Sequence, residues 1–262
     1  MPIRTSHVTK LDIQLDRLAE YLVRLCGDHA QGGTEMAKTI INVLNALDPM
    51  SFNNIQSSIL ERFPEPHRNN SYLDVCQDIA KAMKLYLVFI DPHRGTDSPR
   101  QAMMNSEKNR RILDIGSGSG SFSFVCNALG NNHSTGMDRP QSDSKNDFLK
   151  LNYALAKWYG VHVIEHAIER RSPFPLEDRS FDDFVIFHPT FCRAWKEQDW
   201  DFLFSDLARC ATKKNSRIYM KINTYKMRNS ADALCKSDDF FGSIKKLKYR
   251  EFRDKCYVVN LM

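Results

Sequence analysis

The 262-residue sequence predicts an α/β fold, with a doubly wound, mostly parallel sheet preceded by a helical region. Three observations carry that prediction. From residue 111 onward, short runs of strand character alternate with amphipathic helical runs, the pattern of a parallel sheet with helices on both faces. Residues 10–90 show helical periodicity alone. Of the 11 glycines, five (Gly116, Gly118, Gly120, Gly130, Gly136) crowd into the stretch where the first strand candidate gives way to a helix. Glycine serves where the backbone turns tightly or approaches a ligand, so one dense cluster in a glycine-poor chain marks a site.

The elements follow in order. Leu11, Leu15, Leu18, Leu22 and Leu25 recur at three- and four-residue spacing and define a first helix. Thr34 to Leu47 is a second, ended by Asp48-Pro49. Ser51 caps a third through Phe63, stopped by Pro64 and Pro66, and Ser71 to about Phe89 is a fourth. The polar stretch 91–110 is a connector, which divides the chain into a helical extension over 1–110 and a core over 111–262. In the core the strand candidates are 111–115, 134–138, 161–164, 184–187, 217–222, 244–252 and 256–261. Helices are expected at 122–129, 142–159 and 200–211, with a short one near 230–240. The final two strands are separated by Arg253 to Lys255 only, a link too short for a crossover, so they are expected antiparallel at the sheet edge.

Composition excludes several classes. Hydrophobic residues make up 42% and charged residues 26%, ordinary for a globular protein and wrong for a disordered tail, a collagen-like fibre or a disulfide scaffold. The seven cysteines are scattered without a Cys-x-x-Cys pair, so no structural zinc site is expected, and reduced thiols fit a cytoplasmic protein. The start of the chain lacks the apolar core of a signal peptide, and no run approaches a membrane span. The net charge of +5 is uneven: residues 205–262 carry +8 and residues 1–204 carry −3. A basic C-terminal segment is compatible with an anionic partner, but its cations are interleaved with acids, as on a solvated face.

The sharpest motif is Leu113-Asp114-Ile115-Gly116-Ser117-Gly118-Ser119-Gly120-Ser121. A strand running into a glycine-rich turn and then a helix brings backbone close to a ligand without Cβ obstruction. The spacing is G-x-G-x-G rather than the dinucleotide G-x-G-x-x-G, and no Gly-Lys-Ser/Thr follows, which excludes a P-loop. An acid, Asp114, stands two residues before the first glycine, and Gly136-Met137-Asp138 ends the second strand.

Asp114-x-Gly116-x-Gly118-x-Gly120 resembles motif I of the class I S-adenosylmethionine-dependent methyltransferases. Asp138 falls where that family places the acid that binds both ribose hydroxyls, a role for which a carboxylate has enough acceptor capacity. Pro173-Phe174-Pro175, Asp178 and Ser180-Phe181-Asp182 resemble the family's "LPFPDNSFD" run before strand four, and Ser216 to Met220 resembles its fifth strand. The resemblance covers about 111–262. It implies a Rossmann-like methyltransferase core of seven strands with an antiparallel C-terminal hairpin, and S-adenosylmethionine as cofactor, released as S-adenosylhomocysteine. It also implies that Gly116, Ser117, Gly118 and Gly120 cradle the methionyl and ribose portion, with Asp114 at the methionyl ammonium. The family's Gly-Asp-Ala before "LPFP" is replaced by Glu165-His166-Ala167-Ile168-Glu169. Glu169 is the nearest carboxylate for an adenine contact, and Ile168 aligns as well.

The acceptor side is expected beyond strand four, where the chain reads Phe187-His188-Pro189-Thr190-Phe191-Cys192-Arg193-Ala194-Trp195. This loosely resembles the Asn/Asp-Pro-Pro-Tyr/Phe motif of amino-methyltransferases. His188 is the candidate general base, because its ordinary pKa lies near neutrality. Phe191, Trp195 and Tyr225 are candidates to line the acceptor pocket, and Tyr86 to face it from a helical lid. No metal is required. A small-molecule acceptor is the leading expectation. The alternatives are an RNA or protein acceptor reached through the basic C-terminal segment, and a non-catalytic S-adenosylmethionine-binding module.

Overall fold

The computed structural model describes residues 17–24, 33–47, 71–90, 109–129, 132–143, 147–187, 189–212, 216–222, 244–247 and 255–261. The chain divides into two compact units, Met1–Ser106 and Glu107–Met262. In the first, residues 17–24 are helical, followed by α1 (Gly33–Ala46) and α2 (Ser71–Ile90). Their apolar stripes are buried, with Leu22, Ile40, Ile79 and Met83 all at 0% exposure, as amphipathic helices require. The expected helices at 51–63 and 230–240 lie outside the described residues. Among the described residues, no helix is long and apolar enough to cross a membrane.

The second unit runs β1 (Arg110–Ile115), α3 (Ser121–Ala128), β2 (Asn132–Asp138), α4 (Asp147–Trp158), β3 (Val163–Glu165), β4 (Asp183–Phe187), α5 (Glu197–Cys210), β5 (Arg217–Ile222), β6 (Ile244–Leu247) and β7 (Lys255–Asn260). The strands form one sheet in the order β3-β2-β1-β4-β5-β7-β6. The first five pair in parallel, whereas β7 runs antiparallel to both β5 and β6. The strand expected over 244–252 is shorter, and the link between β6 and β7 falls outside the described residues.

From β1 the chain steps outward to β2 and β3, then returns to β4 beside β1 and steps the other way to β5. Right-handed crossovers in opposite directions put their helices on opposite faces, giving a Rossmann-like α/β fold. Alternation along β1 shows both faces. Leu113 and Ile115 join a buried cluster with Trp200, Leu203, Phe204 and Leu207 of α5, while Asp114 meets Ser123 of α3. The reversal of strand order between β1 and β4 creates a crevice at their carboxyl ends, the place where such sheets bind ligands.

The opposite end of the sheet is fastened by two acids. Asp183 accepts from Arg110 Nη2 at 2.8 Å and from the Arg217 N–H at 3.0 Å, and Asp182 accepts the Arg111 N–H at 2.8 Å. Together they tie the amino ends of β1, β4 and β5. The long connection into β4 is pinned to α5 by Arg209, which donates to Asp206, Asp178, Leu176 O and Phe174 O over 2.7–3.2 Å. The Pro173-Phe174-Pro175 run therefore has an architectural job. Phe174 is buried and its N–H donates to Asp206 Oδ2 at 2.7 Å.

Candidate functional site

The glycine turn sits at the carboxyl end of β1, between β2 and β4. Its N–H groups are largely committed to the protein itself. Those of Gly116 and Ser117 donate to Met137 O at 2.7 and 3.1 Å, that of Gly118 to Asp138 Oδ2 at 2.9 Å, and that of Gly120 to Ser117 O at 2.9 Å. The glycines thus supply room and left-handed backbone more than donors. Gly116, Gly118 and Gly120 have φ of 74°, 55° and 74°, a region that costs other residues roughly 1 kcal/mol or more.

Each glycine makes room for something different. A Cβ at Gly118 would meet only Asn152 Nδ2, at 3.8 Å, so the turn is open there. A Cβ at Gly116 would stand 3.4 Å from the ring of Phe191. At Gly120 it would meet Ala156 and Val161 at 3.3 and 3.4 Å, so close helix packing accounts for that glycine without a ligand. Gly136 admits Ser117, whose Oγ and Cβ would lie 2.6 and 3.0 Å from an added Cβ. Gly136→Ala is expected to cost about 1–3 kcal/mol through overpacking, and Ser117→Gly in the same chain should recover most of it. Denaturant unfolding of the single and double variants checks this; equal stabilities of the two would refute the contact.

Asp138 ends β2 and is half-buried. Its two carboxylate oxygens accept the N–H groups of Gly118 (2.9 Å) and Arg139 (2.7 Å), and its carbonyl is met by Tyr153 Oη at 3.3 Å. Spare lone pairs on both carboxylate oxygens leave acceptor capacity for a ligand. Asp114 is 3% exposed and accepts from Ser123 Oγ at 3.2 Å, which in turn accepts from Ser134 Oγ at 2.9 Å. Burial pushes the Asp114 carboxyl up to about 7, with the hydroxyl of Ser123 opposing and the charge of Asp138 reinforcing.

Between the ordinary value of 3.8 and about 7, Asp114 is protonated in the folded chain and ionised in the unfolded one. Its contribution to stability is therefore full below the unfolded value and lost as pH rises through the folded one. Asp114→Asn is expected to remove the fall in stability between about pH 4 and 7 that this group causes. Urea midpoints across that range check the slope, and an unaltered profile in the variant would count against the assignment.

The acceptor-side candidates separate. Phe191 is half-buried against the first glycine, and its ring centroid lies 5.3 Å from that of Trp195. Trp195, expected to line a pocket, is 4% exposed and belongs to the core, 5.0 Å from Trp200. Placement just after β4 suggested a pocket, but α5 begins so soon that the indole packs against it. Tyr86 is buried in α2 of the first unit. Glu169 is exposed on the loop after β3, and Ile168 packs against the core cluster. His188 and Tyr225 lie outside the described residues. Asn152, at the open side of the turn, belongs to no motif, and His166, in the Glu165–Glu169 stretch that stands in place of Gly-Asp-Ala, directly follows β3; only the fold brings them near the turn and the Asp138 backbone.

No family model matches the chain, and no curated protein matches it. Solved structures do. A SAM-dependent methyltransferase from Aquifex aeolicus is 16% identical, with 69% of this chain and 96% of that chain covered at a TM-score of 0.42. A putative S-adenosyl-L-methionine-dependent methyltransferase from Methanococcus maripaludis is 12% identical, with 71% and 90% covered at a TM-score of 0.42. The T. Thermophilus 16S rRNA N2 G1207 methyltransferase, in complex with AdoMet and guanosine, is 14% identical, with 65% and 38% covered at 0.42. The chain is similar to these in fold.

Proposed function

We propose that the chain is an S-adenosylmethionine-dependent methyltransferase. The observation that carries this reading is the open turn at Gly118 held against Asp138. Backbone with open space before it lies directly beside a carboxylate with unused acceptor capacity. These residues fit a nucleoside bearing an amino-acid arm. Gly116, Ser117 and Gly118 border the arm, Asp138 accepts from the ribose hydroxyls, and Asp114, once ionised, faces the ammonium directly or through water. Gly120 supports the turn from behind.

When bound, S-adenosylmethionine supplies a methyl group already activated on a sulfonium. The protein's share of the work is alignment and exclusion of water. Phe191, seated against Gly116, forms an apolar wall at the site, and His188 takes a proton from acceptors that must lose one. Tyr225, after β5, orients the acceptor. The acceptor itself is proposed to be a small molecule with an apolar face that Phe191 can cover. The basic segment 205–262 keeps an RNA or protein acceptor as the second reading.

The test has two stages. Calorimetry should show S-adenosylmethionine and S-adenosylhomocysteine binding to the full chain; no binding of either overturns the whole reading. Methyl-labelled donor is then supplied with cell extract separated into small-molecule, RNA and protein fractions. Enzyme-dependent label in the small-molecule fraction is expected, and label confined to RNA or protein overturns the acceptor assignment. Binding without transfer to any fraction would leave a non-catalytic module.

A further inference from the structure

The sheet order β3-β2-β1-β4-β5 gives the two sides of the glycine turn different work. Asp138 and the ribose assigned to it lie on the β2 side, which leaves the carboxyl ends of β4 and β5 to the acceptor. A lysine stands there. Lys221 is the penultimate residue of β5 and is 7% exposed, although lysine is among the side chains most rarely buried.

Alternation along the strand fixes the face it takes. Ile218, Met220 and Ile222 join the cluster that contains the buried side chains of α5. Lys221 therefore leaves the sheet on the opposite face, where Asp114 meets Ser123 of α3. It is paired in register with Phe187, the last residue of β4. The Phe187 ring is edge-on to that of Phe122, with centroids 4.8 Å apart, and Phe122 is the second residue of α3, just past Gly120. The Lys221 backbone is thus one strand spacing, about 4.8 Å, from that of Phe187, whose ring touches the helix issuing from the turn.

The chain leaving these strand ends carries one sign of charge. Between Asp183 and Glu197 there is no acid, and Arg193 and Lys196 stand exposed on the loop after β4. From Lys221 to Ala231 the sequence holds Lys221, Lys226 and Arg228, again without an acid. Strand ends that gather cations around a buried ammonium favour a negatively charged ligand.

We propose that Lys221 binds an anionic group, a carboxylate or a phosphate, on the small-molecule acceptor and so restricts the reaction to acidic acceptors. This rests on the methyltransferase reading above and names the acceptor's class within it. The anion is a handle held at β5, with the atom to be methylated lying between it and the turn.

The experiment supplies the full chain with methyl-labelled donor and the small-molecule fraction of a cell extract, divided by ion exchange into anionic, neutral and cationic pools. Label is expected in the anionic pool alone. Phosphatase treatment of that pool separates the two handles: label is lost for a phosphate and persists for a carboxylate. Lys221→Met keeps a long side chain without its charge. It should lower transfer by about ten- to a hundredfold, the worth of one charge-assisted hydrogen bond, with S-adenosylhomocysteine affinity unchanged in calorimetry. Lys221→Arg keeps the charge and should transfer more than Lys221→Met.

Label in the neutral or cationic pool, or in none of the three, would overturn the assignment and leave S-adenosylmethionine binding standing. So would equal transfer by the two variants, full transfer by Lys221→Met, or a loss of S-adenosylhomocysteine affinity in it. Failure of the wild-type chain to bind S-adenosylhomocysteine overturns both readings. Should Lys221→Met fail to fold, the distribution of wild-type label among the pools decides.

Discussion

Asp138→Ala is expected to weaken S-adenosylhomocysteine binding by about a hundredfold or more. The carboxylate is assigned two hydrogen bonds from the ribose, and hydrogen bonds to an ionised partner contribute roughly 1.5–3 kcal/mol each. The substitution also frees the Gly118 N–H, which now donates to Asp138 Oδ2 at 2.9 Å, so the turn loses its tie to β2. Asp138→Asn separates the two effects. Its amide oxygen can still accept from Gly118 while the charge is gone, and an intermediate affinity is expected. Calorimetry with circular dichroism as a folding control makes the measurement. Wild-type affinity in the alanine variant would remove Asp138 from the site.

Trp200→Ala is expected to cost about 3–5 kcal/mol of stability, the range for truncating a large buried aromatic. Trp200 is 0% exposed and lies between Trp195, at 5.0 Å, and Phe204, at 6.0 Å between centroids. The same cluster holds Leu113 and Ile115 of β1, the strand that delivers the chain to the glycine turn. The loss is therefore expected to loosen the site as well as the core. Urea unfolding followed by circular dichroism measures it, and a change below about 1 kcal/mol would show that the core closes over the gap.

Much of this architecture is legible in the pattern of residues. The run Arg217–Ile222 is a strand at the bounds its alternation predicts, and the strand–turn–helix at 110–128 is marked by glycine and an acid together. Ends are less legible. Helix α4 begins at Asp147 rather than near Ser142, because a short 3₁₀ turn over Gln141–Asp143 intervenes. Strand β3 is Val163–Glu165, displaced from the expected 161–164, as Val161 is drawn into packing beneath Gly120.

What local pattern does not show is the distant partner of each residue. Gly120 reads as part of a ligand cradle, yet Ala156 and Val161, more than thirty positions on, fill the space beside it. Trp195 reads as pocket lining until α5 folds back on it. Asp178 and Asp182 resemble a family motif, and the structure gives them mechanical reasons in Arg209 and the Arg111 N–H. His166 stands among charged residues with no periodic signal, and only the fold sets its ring edge-on to Phe174, with centroids 5.9 Å apart.

The bond from the Gly118 N–H to Asp138 closes the turn within the protein alone. The loss of backbone freedom at that loop therefore accompanies folding and is not charged to ligand capture. Association should then proceed without a gating rearrangement of this loop, at a rate governed by diffusion and access and only weakly dependent on viscosity-independent internal motion. Asp138 in this sense acts before any ligand arrives: the same two oxygens that are to meet a ribose already keep its berth in shape.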